Sequence, residues 1–131
     1  MTDSELRDAL AALLAQAPGE VVAVYLYGSR ARGTARRGSD VDLGVLLTQR
    51  PQPTLASVAR DLEALVERVI RLPVEAVALN GASPDLIHRV LRDGILVLDR
   101  DRVARLRFEV QARNEFFDMA PVRRLYRRLS A

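Results

Sequence analysis

Two apolar stretches separated by a short polar segment are the feature that most limits what this chain can fold into. Glu20–Tyr27 reads EVVAVYLY and Asp40–Leu47 reads DVDLGVLL, and both are rich in the β-branched and aromatic residues that favour strands. Between them, Gly28–Ser39 is rich in glycine, serine and arginine, which predicts a turn and a short helix. The sequence therefore predicts two buried strands whose ends meet near a polar turn.

Helical and strand patterns alternate along the rest of the chain. Thr2, Thr54 and Ser83 are suited to cap helices, Gly94 is a residue type common just after a helix, and Pro121 predicts a kink or restart. The predicted helices cover Asp3 to about Ala15, Leu55 to about Ile70, Pro84 to the residue before Gly94, Asp101 to about Met119, and Val122–Leu129. Two further strands are predicted at Val74–Leu79 and Ile95–Leu98, and Pro51 and Pro53 mark a loop.

This order predicts one domain over residues 1–131, with a helical tail from about residue 101. We expect an α/β (α+β) fold in which helices flank a small mixed four-stranded sheet. The chain has 131 residues, of which 49% are hydrophobic, so it can bury a core.

Composition narrows the classes of function. The chain has no cysteine, which excludes disulfides and thiolate metal sites and fits a reducing compartment, so we expect a cytoplasmic protein. We expect neither a signal peptide nor a membrane span, because no apolar run approaches the length that a span requires. All 20 basic residues are arginines, and residues 100–131 carry a net charge of +5. This basic tail indicates nucleic acid, an acidic partner or a solvated helix face.

Asp40 and Asp42 are the first candidates for chemistry. Residues two apart on a strand point to the same face, so the two carboxylates are expected to lie side by side. Two such carboxylates repel each other unless a cation lies between them. Mg²⁺ prefers oxygen ligands and is commonly held by one or two carboxylates together with substrate phosphates.

Gly28 and Ser29 follow the preceding strand. Glycine lets a ligand approach the backbone closely, and serine offers a hydroxyl group. Arg30, Arg32, Arg36 and Arg37 lie in the same connection, and guanidinium groups bind phosphate well. A phosphate cradle beside a metal site is the combination that phosphoryl-type transfer requires.

Gly28-Ser29 followed after ten residues by Asp40-Val41-Asp42 resembles the signature of the polymerase-β-like nucleotidyltransferase superfamily. The fuller segment, GSRARG followed by SDVDLGVLL, is similar to the minimal nucleotidyltransferases of the MNT (MntA-type) antitoxin group. Leu79-Asn80 with Pro84, the RDG that ends at Gly94, and Arg113–Pro121 also resemble that group. The resemblance therefore runs along nearly the whole chain.

The resemblance implies an Mg²⁺-dependent protein adenylyltransferase, in which AMP passes from ATP to a tyrosine of a HEPN-domain toxin and neutralises it. Asp40 and Asp42 would hold two Mg²⁺ ions, with Glu75 as a third ligand to one of them. The triphosphate would be held by Gly28, Ser29 and the arginines Arg30 and Arg32. The implied partners are a HEPN toxin, expected to be an RNase, and ATP, with neither a membrane nor directly bound nucleic acid.

Glu75 departs from the pattern of the group. Its strand reads PVEAVALN, whereas members of the group often carry two aspartates there; Glu75 takes the first acidic place and Ala78 the second. Glu75 is therefore either the third metal ligand or a charge on an exposed strand edge.

The sequence alone leaves two alternative functions open. The chain could be an antitoxin that masks its toxin by binding alone, or a nucleotidyltransferase acting on a small molecule, although those enzymes usually carry an added helical domain. The stretch Arg113–Leu129, with its aromatic residues and arginines, is either core or a face that binds a partner. His88 is predicted to be a helix residue without a catalytic role, and Tyr25 and Tyr27 are predicted to be strand core.

Overall fold

The structure is a computed structural model that describes residues 1–48 and 54–130. The predicted loop at Pro51 and Pro53 and the predicted cap by the Thr54 side chain lie outside what it describes. The strands are β1 (Val21–Tyr27), β2 (Val41–Leu47), β3 (Val74–Ala78) and β4 (Ile95–Asp99). The helices are α1 (Asp3–Leu14), α2 (Ser29–Arg32), α3 (Thr54–Ile70), α4 (Pro84–Asp93), α5 (Arg102–Asp118) and α6 (Ala120–Ser130).

The four strands form one mixed sheet in the order β3-β2-β1-β4, which confirms the predicted fold class. Strand β1 is antiparallel to both of its neighbours, and β2 is parallel to β3. The first six residues of β1 are buried, as its continuous apolar sequence predicts for a central strand. The chain order α1-β1-α2-β2-α3-β3-α4-β4-α5-α6 also matches the prediction.

Helices cover both faces of the sheet. On one face α1 and α3 bury their apolar stripes, with Leu10 and Leu62 fully inaccessible to solvent. On the other face α4 and α5 pack through residues such as Val90 and Ala112. Burial of one leucine side chain contributes about 1.5–3 kcal/mol, so these two layers fix the sheet between them.

Capping side chains set the starts of three helices. Thr2 accepts a hydrogen bond from the Glu5 backbone N–H at 3.1 Å, as the predicted capping box requires. Ser83 accepts from the Leu86 N–H at 3.3 Å, which confirms the predicted start of α4. Asp101 caps α5 in the same way.

Gly94 ends α4 for a different reason from the one its residue type suggests. Its φ is −73°, an ordinary extended conformation, so no left-handed turn is present. Instead, its N–H donates to the Val90 carbonyl at 2.7 Å, and a Cβ atom at Gly94 would collide with that same oxygen. Glycine therefore allows β4 to begin directly beneath the last turn of α4.

A buried polar network fastens α5 to the sheet. The Tyr25 hydroxyl donates to Glu109 Oε1 at 2.7 Å, and Arg105 donates to the same oxygen at 3.1 Å. Burial, and then the neighbouring Glu109, raise the pKa of Tyr25 well above its usual range, so the hydroxyl keeps its proton and remains a donor. The core position predicted for Tyr25 is confirmed.

Small differences from the predicted boundaries concern single residues. Glu20 and Asp40 lie just before β1 and β2, and Leu79 lies just after β3, although its N–H still donates to the Val45 carbonyl at 2.8 Å. The restart predicted at Pro121 is confirmed, since α6 begins at Ala120. Among the described residues, no helix is both long enough and apolar enough to cross a membrane.

Candidate active site

Three side chains lie in one row where β1 ends and β2 and β3 begin. Tyr27 pairs with Asp42 across the antiparallel β1–β2 ladder, and Asp42 pairs with Glu75 across the parallel β2–β3 ladder. Directly paired residues share a face of the sheet. Asp42 is therefore the centre of the row, with a phenol on one side and a carboxylate on the other.

An open cleft of about 550 Å³ lies over this end of the sheet. It is lined by Tyr27, Gly28, Ser29, Arg32, Ser39, Asp40, Asp42, Arg89 and Asp93. The structure therefore brings together both predicted aspartates, the predicted Gly-Ser turn and Arg32. Glu75 is exposed and does not line this cleft, although it is the strand neighbour of Asp42.

The backbone of Gly28 lies close against the side chain of Asp42. Its φ is +73°, in the region that favours glycine, and a Cβ atom there would collide with Asp42 Oδ2. The Gly28 carbonyl accepts the first backbone bonds of α2, from Ala31 and Arg32 at 3.1 Å each. The Asp42 carboxylate therefore lies directly against the backbone turn that presents Ser29.

The negative charge of this row is only partly balanced by nearby arginines. Burial raises the pKa of Asp42, the nearby carboxylates of Glu75 and Asp40 raise it further, and Arg32 opposes them in part. The pKa of Tyr27 is also raised, first by burial and then by Asp42 and Glu75, while Arg89 lowers it. A bound cation would relieve the repulsion that raises both values.

The residues fit a divalent metal that shares its ligands with a substrate. Asp40 and Asp42 supply hard oxygen donors in the cleft. The pKa of Asp42 is raised first by burial and then by neighbouring carboxylates, and a cation would neutralise the charge of those carboxylates. Within residues 1–48 and 54–130, no three acidic or imidazole side chains converge on a point where they could hold a metal ion by themselves. Mg²⁺ commonly completes its shell with water and substrate phosphates, so two aspartates are a sufficient protein contribution.

Arg30 does not line the cleft, although its place in the sequence suggests that it would. Its side chain is buried, and its Nε and Nη2 atoms donate to the Ser39 carbonyl at 3.2 and 2.8 Å. Ser39 immediately precedes Asp40, so this double hydrogen bond fixes the peptide that delivers the first aspartate. Arg30 is placed to position Asp40 rather than to contact a phosphate.

We expect Arg30→Met to weaken Mg²⁺-dependent stabilisation of the nucleotide complex, because the loop that carries Asp40 loses both hydrogen bonds. Loss of such bonds costs about 1–3 kcal/mol, equivalent to a rise of about 5- to 150-fold in the Mg²⁺ concentration required. A thermal-shift titration with Mg²⁺ and ATP measures this. Arg37→Met, an exposed change in the same loop, is the matched control and should leave the titration unchanged. Equal titrations for both variants would contradict a positioning role.

Sequence reasoning missed Arg89 and Asp93, which line the cleft from α4. They lie one helical turn apart, and α4 leads into β4, which pairs with β1 and so brings the end of α4 over the site. His88, next to Arg89 in α4, faces elsewhere: its ring stacks on Phe116 with centroids 3.7 Å apart. It does not line the cleft, in keeping with the absence of a predicted catalytic role.

The fold and the cleft agree with one known protein family. Residues 9–103 match the family described as polymerase beta, nucleotidyltransferase, and the chain belongs to that family. Within it, the chain is similar to protein adenylyltransferase MntA of Shewanella oneidensis, with 35% identity over 72 residues. That match covers 54% of this chain and 49% of the relative, so it spans about half the length of the curated relative.

Solved structures share the fold. A toxin–antitoxin complex with AMP-PNP contains a chain that superposes with a TM-score of 0.78 at 21% identity, covering 95% of this chain and 98% of that one. A complex of the tri-AMPylated HEPN toxin of Shewanella oneidensis with its MNT antitoxin gives a TM-score of 0.74 at 18% identity, covering 99% and 100%. Both comparisons cover at least 95% of this chain.

Proposed function

We propose that this protein is an antitoxin that acts as a protein adenylyltransferase, moving AMP from ATP to a tyrosine hydroxyl of a HEPN-domain toxin. The observation that carries the proposal is the cleft in which Asp40 and Asp42 lie beside the Gly28-Ser29 turn. Similarity to a relative named protein adenylyltransferase MntA supports the choice of acceptor class. A cytoplasmic location, in keeping with the absence of cysteine, is part of the proposal.

In this proposal Asp40 and Asp42 hold two Mg²⁺ ions together with the phosphates of ATP. When bound, the metal neutralises charge on the transferring phosphoryl group and its leaving group. Ser29 and Arg32 line the cleft on the side of the turn and bind the triphosphate, while Gly28 keeps the turn close to Asp42. Arg30 supports this arrangement through Ser39.

The reaction itself is a displacement at phosphorus. The tyrosine oxygen forms a bond to the α-phosphorus of ATP, the bond to the β-phosphate oxygen breaks, and pyrophosphate leaves. The hydroxyl proton passes to a carboxylate at the edge of the site. Glu75, which is exposed beside Asp42, is the proposed acceptor of that proton. To serve also as the proposed third metal ligand, its side chain would have to turn toward Asp42, because it does not line the cleft in this structure.

We expect Glu75→Gln to lower the rate of transfer by about 10²-fold, the lower end of the range typical for loss of a general base. The amide keeps the shape of the side chain but can accept no proton. The rate of AMP incorporation at saturating ATP measures the change. Glu63→Gln serves as a control on the same edge, because Glu63 accepts the Ala76 N–H at 3.0 Å without facing Asp42 in the ladder. A Glu75 variant with unchanged rate would leave Glu75 as an edge-strand charge.

The decisive experiment combines the purified protein, Mg²⁺, ATP and the product of the neighbouring gene, which the proposal expects to be a HEPN-domain toxin, and records the intact mass of both chains. We expect the partner to gain one or more AMP units and this chain to gain none. The gain should disappear with Asp40→Asn. A partner whose mass never changes, although it is neutralised, would reject the enzymatic function.

A masking antitoxin is the second candidate, and the exposed position of Glu75 outside the cleft favours it. Under this alternative the chain neutralises its toxin by binding alone. An Asp40→Asn/Asp42→Asn double variant that still restores growth in cells expressing the toxin would support masking.

A further inference from the structure

Most of the exposed large apolar side chains in the described part of the chain lie on the last two helices. In α5, the exposed set recurs at helical spacing on the side away from the sheet; this α5 face consists of Val103, Leu106, Val110 and Phe117, which are 40–67% exposed. Outside α5, α6 and their junction, the described chain exposes only Met1, Val69 and Leu96 among such residues. Exposed apolar side chains gathered in this way mark a surface that another molecule covers.

Helix α6 turns a charged side toward the rest of the protein. The Arg123 guanidinium lies 3.6 Å from the centre of the Phe116 ring, donates to the Phe116 carbonyl at 2.6 Å, and lies 3.8 Å from Asp85. The apolar residues of α6 lie on a different side of the helix; this α6 face consists of Val122, Leu125 and Leu129, which are 40%, 55% and 74% exposed. The α6 face is thus directed to solvent although its residues are suited to burial.

The charge beside the α6 face indicates what covers it. Arg124, Arg127 and Arg128 are exposed on the same helix, and residues 100–131 carry nine arginines against four acidic residues. A second copy of this chain would oppose like charges, which disfavours self-association. Exposed Glu115 and Asp118 flank Phe117, and carboxylates at that place oppose contact with an anionic bilayer. An acidic protein surface that presents apolar side chains matches both the arginines and the apolar face.

We propose that the α5 and α6 faces form the docking surface for the protein acceptor, which meets them with apolar side chains edged by carboxylates. This inference rests on the proposed function, since the docked protein is the one whose tyrosine receives AMP. Docking on helices that do not line the cleft would supply binding energy for the acceptor while the nucleotide site remains open.

The test compares two substitutions of equally exposed residues. Leu125 on α6 and Val69 on α3 are each 55% exposed, so Leu125→Glu and Val69→Glu introduce the same charge at matched positions. The probe is the purified product of the neighbouring gene, which the proposed function expects to be a HEPN-domain toxin, titrated by calorimetry. We expect Leu125→Glu to raise Kd by about tenfold or more, as for a residue at the centre of an interface, and Val69→Glu to change it by less than about twofold. Equal Kd values for the two variants, or no binding by the wild-type chain, would overturn the proposal.

Further measurements separate the docking surface from the catalytic function. Both variants should keep the thermal shift given by Mg²⁺ and ATP, which shows that they fold and bind nucleotide. Asp42→Asn should bind the probe as the wild type does. If the wild type binds but never transfers AMP, the catalytic function fails and the surface stands; if Leu125→Glu transfers AMP at the wild-type rate at low acceptor concentration, the surface fails and the function stands. Leu125-dependent binding to phosphatidylserine–phosphatidylcholine vesicles would also overturn the proposal, in favour of a lipid surface.

Discussion

The Asp42→Asn variant is expected to transfer AMP at least about a thousandfold more slowly than the wild type. Asp42 is the centre of the row formed by Tyr27, Asp42 and Glu75. In the proposed function its carboxylate would contribute charge that holds the metal beside the transferring phosphate. Charge stabilisation of this kind amounts to several kcal/mol, and about 4 kcal/mol corresponds to a thousandfold change in rate. The measurement is AMP incorporation with saturating ATP, and a loss smaller than about tenfold would contradict the assignment.

The same variant should be at least as stable as the wild type when no metal is bound. The pKa of Asp42 is raised in the folded protein, so its charged form is disfavoured there relative to the unfolded chain. Its contribution to stability is therefore present at low pH and is lost as the pH rises through the folded pKa. At neutral pH the neutral Asn should give a small rise in Tm, below about 5 °C, and Mg²⁺ should then stabilise the wild type more than the variant. An inactive variant with a higher Tm would show that inactivity does not arise from unfolding.

The second large effect is expected from Gly28→Ala, with about a hundredfold loss of transfer. A Cβ atom at residue 28 would collide with Asp42 Oδ2, so the carboxylate would have to rotate away from its place in the cleft. A displacement of about 1 Å in a reacting arrangement can cost about 10²-fold in rate. The alanine would also have to adopt a positive φ with a ψ of −156°, at a cost of about 1–3 kcal/mol.

Gly33→Ala separates these two causes. Gly33 also has a positive φ, +75° against +73° for Gly28, but a Cβ atom there meets nothing within 4 Å. Its ψ of 17° lies in the left-handed helical region, whereas the ψ of Gly28 is −156°, which is essentially restricted to glycine. Both variants should therefore lose stability in denaturant unfolding, Gly28→Ala the more, whereas only Gly28→Ala should lose transfer. If Gly33→Ala loses as much activity, backbone strain rather than the collision with Asp42 explains the effect.

The sequence could predict the strand pair and the place of the site because each rests on local pattern. β1 and β2 are short apolar runs, and the interval from Gly28-Ser29 to Asp40 and Asp42 is a fixed spacing that is visible without any tertiary information. The positions of the strands along the chain could be predicted in the same way, because glycine, proline and capping residues mark where helices and strands end. Both aspartates and the Gly-Ser turn do line one cleft.

Side-chain direction could not be predicted in the same way. Arg30 and Arg32 are two residues apart in one short turn, yet Arg30 is buried against Ser39 while Arg32 lines the cleft. The two residues are of the same type, so only the path of the loop determines which of them faces the cleft. Arg89 reaches the site because α4 packs over the end of β1, a long-range arrangement that its own sequence does not encode.

The position of β1 in the sheet also has a consequence for the protein during its synthesis. β1 is made early, but one of its two neighbours, β4, lies about 70 residues later in the chain. Arg100, directly after β4, then links the end of β4 to the segment that leads into β1. It donates to the carbonyls of Ala15, Ala17, Pro18 and Val21. At about 5–20 residues per second, a ribosome leaves one edge of this apolar strand unpaired for several seconds. An open strand edge can pair with other chains, so the nascent protein is most prone to aggregation just before β4 emerges.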